Sequence, residues 1–373
     1  MYFSAEERIL VTGATGFLGG AVAARHIDSP FWERSIFLVR GNNANAALAR
    51  LVHRLRSFGI SESLLEHVSA DQILLGDLND TTVWKNDPRL LSVSHVIHAA
   101  AMASFGRCDG IWAANVDGTI ALAASLYGRA PLKRFLYVGT AMVCGTQAPN
   151  PVPEDYVPEG IPVDLVEYTV SKREAERALR RDFPDLPLVI ARPSIVVGHT
   201  RLGCVPSGSI FWVFRMAIGL GVFPCAFDER IDVVPVDFVA DALLELVSKP
   251  QLSWDQYHLT AGTGSASSFR EIDNAIATAL GRPPLAGYQQ MPYEEIVTMK
   301  HDFERLLGPC NHRAMLRAIE IYGAFSSLGL LFNNGRLLGE GIVLPPSFES
   351  YAGLCAVTSI GRTIAEQMLV DFK

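Results

Sequence analysis

Tyr168 and Lys172 stand four residues apart in EYTVSKREAE (167–176), a stretch of helical composition. That spacing puts both side chains on one helix face. A lysine ammonium beside a phenol favours the phenolate, lowering a pKa that starts near ~10, so Tyr168 could exchange a proton at neutral pH. The bare pair recurs in many helices, and a third group is needed to single it out. RFLYVGTAMVCG (134–145) supplies one: an apolar run ending in Thr140. A hydroxyl at a strand's C-terminal edge can bond a carbonyl oxygen and polarise it. Thr140, Tyr168 and Lys172 together suit hydride transfer: hydroxyls hold the oxygen, a reduced nicotinamide gives hydride, and Tyr168 protonates the alkoxide. Asn115, near the start of its helix, either orders a water, holds the helix backbone, or acts as a plain N-cap.

These groups need a sheet edge to converge on. Short β-branched runs recur at 8–13, 35–40, 72–78, 94–100, 134–140 and 188–198, apolar throughout rather than alternating. Such runs read as strands buried on both faces, as in a parallel sheet. Helical stretches separate them at 19–27, 46–58 and 115–128. The expected fold is α/β, a doubly wound parallel sheet with right-handed crossovers. Residues 231–247 add one more strand and a helix, and 255–261 a further strand. We expect a dinucleotide-binding domain of 1–198 plus 231–261, and a smaller, mostly helical substrate-binding region of 199–230 plus 262–373.

LVTGATGFLGG (10–20) heads the first unit, with Gly13, Gly16 and Gly19 between a strand and a helix. Gly13 permits the tight turn, Gly16 lets a pyrophosphate approach the backbone, and Gly19 lets the helix pack on the sheet. The second strand ends in LVRGNN, with Arg40 where an acidic residue would accept from a ribose 2′-hydroxyl; no Asp or Glu follows until Glu62. This favours NADPH, unless Arg40 is a solvated strand-end cation. Arg50 and Arg54, one turn apart, either add to a phosphate site or line a wet face, the wet face being favoured for Arg54. Asp77 is placed for an adenine amino group or is a simple turn former. Ala99, Ala100 and Ala101 are small enough for a cofactor to come close, and equally for tight sheet–helix packing.

Bulk properties exclude other classes. A formal charge of -7 with only 19% charged residues disfavours nucleic-acid binding. The six cysteines, Cys108, Cys144, Cys204, Cys225, Cys310 and Cys355, include no CxxC pair, so free thiols in a reducing compartment are expected. No HExxH motif points to a metal, and no GxSxG elbow to a hydrolase. MYFSAEERILVTG lacks a signal-peptide layout. The most apolar stretch, 209–227, is broken by Arg215 and Pro224, which argues against a membrane span. It is either a lid over a substrate or ordinary core helix. A cytoplasmic chain without stable membrane insertion is expected.

TGATGFLG, LVR, GDL, HAAA, YVGTAMV, YTVSK and ARPSIVVG, in this order over residues 7–260, resemble the extended short-chain dehydrogenase/reductases. Two features narrow the likeness to the thioester reductases: the reductase domains of nonribosomal peptide and polyketide synthases, carboxylic acid reductases and fatty acyl-CoA reductases. One is the long helical insertion 41–71 after LVR; the other is the ending FNNGRLLGEGIVLPPSFESYA (332–352). The resemblance implies NADPH, with Thr140, Tyr168 and Lys172 catalytic. On the quoted motifs it places the cofactor against Gly13, Thr15, Gly16, Phe17, Leu18, Arg40, Arg50, Asp77, Leu78, Ala99, Ala100, Ala101, Tyr168, Lys172, Pro193 and Ile195. It further implies an acyl thioester on a phosphopantetheine arm, from a carrier protein or coenzyme A, reduced to aldehyde and sometimes alcohol. With no adenylation or carrier domain in the sequence, the thioester is expected in trans. Gly139 and Cys144 depart from the family, where Ser or Thr and Tyr or Val are common. The alternatives are a ketone or aldehyde reductase, a sterol-type or sugar-nucleotide enzyme of the same fold, and a non-catalytic NADP-binding protein.

Overall fold

The computed structural model describes residues 7–103, 109–158, 160 and 162–371. Cys108 lies outside them. Seven strands form one parallel sheet: β1 (Ile9–Thr12), β2 (Ser35–Val39), β3 (Ile73–Leu75), β4 (His95–His98), β5 (Arg134–Val138), β6 (Leu188–Pro193) and β7 (Gln256–Leu259). Their order is β7-β6-β5-β4-β1-β2-β3, so the chain reverses direction across the sheet between β1 and β4. Alternate residues of one strand feed different cores. Ile9 and Val11 of β1 and Leu136 and Val138 of β5 pack on one face, Leu10, Phe135 and Tyr137 on the other. Burial on both faces is why these runs are apolar without alternation.

Helices cover both faces. α1 (Phe17–His26), α2 (Ala44–Ser57), α3 (Gly118–Leu126) and α4 (Glu167–Asp182) follow strands in turn. A second aromatic-rich core forms beyond the sheet's edge. Here α5 (Phe211–Leu220) sets Phe211, Trp212 and Phe214 against Phe269 and Phe348. It is a continuous helix through Arg215, whose guanidinium donates to Arg362 O (2.9 Å) and Gln367 Oε1 (2.6 Å). α6 (Val236–Ser248) returns to pack on α1, and α7 (Phe269–Leu280) opens with a capping box between Ser268 and Glu271. α8 (His312–Ser326) and α9 (Glu349–Val357) complete this core, α9 lying along α7.

The strand expected within 231–247 does not join the main sheet. Val233–Val234 instead pairs with Ile195–Val196 in a separate two-stranded ladder beyond β6. Two buried carboxylates tie the C-terminal segment back to the sheet. Asp232 accepts from the amides of Ala261 (2.7 Å), Gly262 (3.0 Å) and Phe332 (3.3 Å). Glu154 accepts from His258 N (3.0 Å) at β7 and Arg336 N (2.7 Å). Cys144, Cys204, Cys225 and Cys355 are buried free thiols and Cys310 is half-buried. No helix among the described residues is long and apolar enough to cross a membrane.

Candidate active site

At the C-terminal ends of the strands lies a cavity of about 430 Å3. Its floor is the glycine turn. Gly13 has φ +76°, and a Cβ there would stand 2.7 Å from Ala100 N and 2.8 Å from Ala99 O. A Cβ on Gly19 would stand 2.3 Å from Gly13 O, so this position also admits only glycine. Gly16 faces the cavity, where a side chain would fill the cradle, and no side-chain hydrogen bond caps α1. The first amides of α1 are thus left for an anion, which is what a dinucleotide pyrophosphate needs. The turn is fixed from below by a hydrogen-bond chain. Thr119 Oγ1 donates to Asn115 O (2.8 Å), so His98 Nε2 donates to Thr119 Oγ1 (2.8 Å) and His98 Nδ1 accepts from Thr12 Oγ1 (2.7 Å). Ala100 N in turn donates to Thr12 Oγ1 (3.1 Å). Burial holds His98 neutral, its pKa down to about 3.

Thr140, Tyr168 and Lys172 all line this cavity, together with Gly13, Gly16, Phe17, Leu18, Ala99, Ala101, Pro193 and Ile195. Thr140 follows β5 in extended backbone (φ -151°) and caps the short helical turn after it, accepting from Met142 N at 3.4 Å. Tyr168 and Lys172 sit on the first turns of α4, one above the other. Lys172 Nζ lies 4.6 Å from the centroid of the Tyr137 ring. Burial brings Lys172 down to about 8, with Glu176 opposing the shift, and pushes Tyr168 up to about 12. The expected lowering of Tyr168 by the ammonium is therefore outweighed by desolvation in the free protein.

Six of the expected cofactor positions, Thr15, Arg40, Arg50, Asp77, Leu78 and Ala100, do not line the cavity. Arg40 is exposed, with Nη1 3.7 Å from Asp77 Oδ2, and Arg50 Nη1 donates to Arg40 O (3.1 Å). Asp77 also forms an Asx turn, accepting from Asn79 N (3.0 Å). Leu78 is core, packed where Gly118 leaves room for it. Arg54 is half-buried and anchored rather than free. Its Nε donates to Thr15 O (3.0 Å) and its Nη1 to Pro206 O (2.8 Å), and burial lowers its pKa. Asn115 caps no helix: it sits in a π turn, Ala113–Asp117, and reaches sideways. Its Oδ1 accepts from Met102 N (2.8 Å) and its Nδ2 donates to Met102 O (3.2 Å) and Ser171 Oγ (3.0 Å), fastening the loop after β4 to α4 beside Lys172.

Most of the rest of the wall is apolar. Ile210, Val213, Phe214 and Ala217 come from α5, and Phe223, Phe269, Tyr322, Leu328, Leu330 and Phe332 from segments far apart in sequence. The 209–227 stretch is thus both core helix and cavity wall. Arg230 also reaches the cavity, but Nε and Nη2 are spent on Ala266 O. Sequence spacing held no signal for the 322–332 contribution, which exists only through long-range packing.

Sheet order, glycine turn and cavity define an NAD(P)-dependent oxidoreductase of the extended short-chain dehydrogenase/reductase class. The chain belongs to the male sterility protein family, an NAD-binding family whose profile matches residues 11–243. It is 29% identical over 276 residues to the nonribosomal peptide synthetase asaC of Aspergillus flavus, covering 69% of this chain and 26% of that protein. To the aldehyde reductase lnaA of the same organism it is 26% identical over 259 residues, covering 65% of this chain and 24% of that one. The chain thus spans about a quarter of the length of these curated relatives. Among solved structures, the terminal R domain of the myxalamid PKS-NRPS pathway superposes with a TM-score of 0.77 at 24% identity, covering 96% of this chain and 92% of that one. The reductase domain of a Mycobacterium tuberculosis nonribosomal peptide synthetase gives 0.68 at 22% identity, covering 96% and 93%. At this identity the likeness is one of fold.

Proposed function

We propose that the chain is an NADPH-dependent reductase of acyl thioesters carried on a phosphopantetheine arm, from a carrier protein or coenzyme A, giving aldehyde and, after a second round, alcohol. The observation that supports it most is that Thr140, Tyr168 and Lys172 share one cavity with the glycine turn and with an apolar chamber suited to an acyl chain. In this reading 1–198 and 231–261 serve the dinucleotide, and 199–230 and 262–373 serve the acyl group. Arg40 and Arg50 meet the 2′-phosphate, and Asp77 the adenine.

Bound NADPH supplies a hydride to the thioester carbonyl carbon. The Thr140 hydroxyl donates to the carbonyl oxygen and polarises it. Tyr168 donates to the same oxygen and passes it a proton as negative charge develops. Lys172, charged below its pKa near 8, steadies the phenolate left behind and lowers the cost of that transfer. Loss of the thiol then yields the aldehyde. Thioester, hydride and proton become aldehyde and thiol, with no further co-reactant.

A sugar-nucleotide substrate fits less well, because Arg230 is committed to Ala266 O and most of the chamber's remaining walls are apolar. The deciding experiment follows NADPH oxidation with acyl-CoAs, acyl-phosphopantetheines, free aldehydes and ketones. Thioester turnover is expected. Ketone turnover without any thioester turnover would replace this reading by a ketone reductase.

A further inference from the structure

Beside the cavity lies a second, polar depression of about 630 Å3, between the end of α2, the 205–208 loop and the 361–367 segment. His53, Arg54 and Arg362 stand in its wall, and Ser207 belongs to the walls of both the depression and the cavity. The two spaces therefore adjoin. Arg54 is pinned at their junction by its bonds to Thr15 O and Pro206 O. Arg362 is exposed, and it is its backbone carbonyl that Arg215 engages. Glu366 is the acidic member of the wall, and its Oε2 is occupied by Thr363 N (2.7 Å) and Thr363 Oγ1 (3.0 Å). Two guanidinium groups thus face one engaged carboxylate.

The loop at the junction is held in an unusual shape. Ser209 has φ +44°, a region that non-glycine residues rarely adopt. It is kept there by Ser207 Oγ, which accepts from Ser209 N (3.1 Å), and by Val196 O, which accepts from Ser209 Oγ (2.8 Å). Strain of this kind is retained at ligand clamps.

We propose that this depression binds the phosphoryl group of the phosphopantetheine arm, so that the arm crosses at Ser207 and delivers its thioester to Thr140 and Tyr168. The proposal rests on the thioester reading above and adds the place where the arm's negative charge is held. Guanidinium groups suit a phosphoryl group through charge-assisted hydrogen bonds. Carrier proteins bear a phosphodiester at this place, coenzyme A a pyrophosphate and free phosphopantetheine a monoester, and the site recognises the phosphoryl group on the pantetheine oxygen that all three share.

The test compares one acyl group on three thiols: pantetheine, phosphopantetheine and coenzyme A. The native protein is expected to show a kcat/KM about tenfold higher for the two phosphorylated thioesters, through KM, the worth of a charged hydrogen bond. Arg362→Ala should bring that ratio close to one, and Arg362→Lys, which keeps the charge, should restore part of it. Equal kcat/KM for pantetheine and phosphopantetheine thioesters in the native protein would overturn the site while leaving the thioester reading intact. A rise in the KM for NADPH as the main effect of Arg362→Ala would assign the arginine to the cofactor and overturn the site. Reduction of aldehydes with no thioester turned over would remove both.

Discussion

A Cβ placed on Gly139 would lie 2.3 Å from Glu176 Oε1. The carboxylate occupies the space that a serine or threonine would need, and it is held there by Arg192, with Nη2 to Oε2 at 2.5 Å and Nε to both oxygens at 3.1 and 3.2 Å. Both partners are buried. The departure from the family pattern at position 139 is thus explained locally, one residue before Thr140. Gly139→Ala is expected to cost about 1–3 kcal/mol, as overpacking does, or more if the ion pair is broken. Urea unfolding checks it, and a loss under 0.5 kcal/mol would show that Glu176 moves aside freely.

Tyr168→Phe removes the proton donor and keeps the ring. Turnover is expected to fall at least a hundredfold, within the usual range for a general acid, while NADPH affinity changes little. Stopped-flow hydride transfer together with fluorescence titration of the cofactor separates the two. Undiminished turnover would take Tyr168 out of its role.

Lys172 links activity to pH. Its ammonium is lost as pH rises through about 8, so kcat/KM should decline above that point, tenfold per unit once fully on the limb. Stability moves the other way. Between about 8 and its ordinary value of 10.5 the unfolded chain binds more protons at this residue than the folded one, so its contribution to stability grows with pH. Activity should therefore fall over pH 8–10 without thermal destabilisation from this group. A flat kcat/KM through pH 10 would exclude Lys172 as the titrating group.

Arg40→Asp tests cofactor choice. Removing a cation and adding a negative charge at the end of β2 should weaken NADPH by about tenfold or more and leave NADH little affected, since only NADPH carries the 2′-phosphate. Dissociation constants for both, measured by titration, decide it. Equal weakening would mean that Arg40 acts only through its 3.7 Å contact with Asp77.

The sheet, the glycine turn and the Tyr168–Lys172 pair were legible in the sequence because each depends on local spacing. Buried parallel strands announce themselves as apolar runs, and residues four apart on a helix must share a face. The anchoring of Arg54 was not legible for the opposite reason: its carbonyl partners, Thr15 and Pro206, lie 39 and 152 residues away. Asn115 was misplaced because a π turn has no clear sequence mark. The apolar chamber is built from segments as separate as 210–217 and 322–332, whose meeting no periodicity records.

The two carboxylates that tether the C-terminal segment make excision hazardous. A fragment truncated after Ala261 would strip Asp232 of the Gly262 and Phe332 amides and Glu154 of the Arg336 amide. Each anion would be stranded beside the sheet with its solvation only half replaced. The nucleotide-binding portion is thus mortgaged to residues more than seventy positions beyond its own last strand.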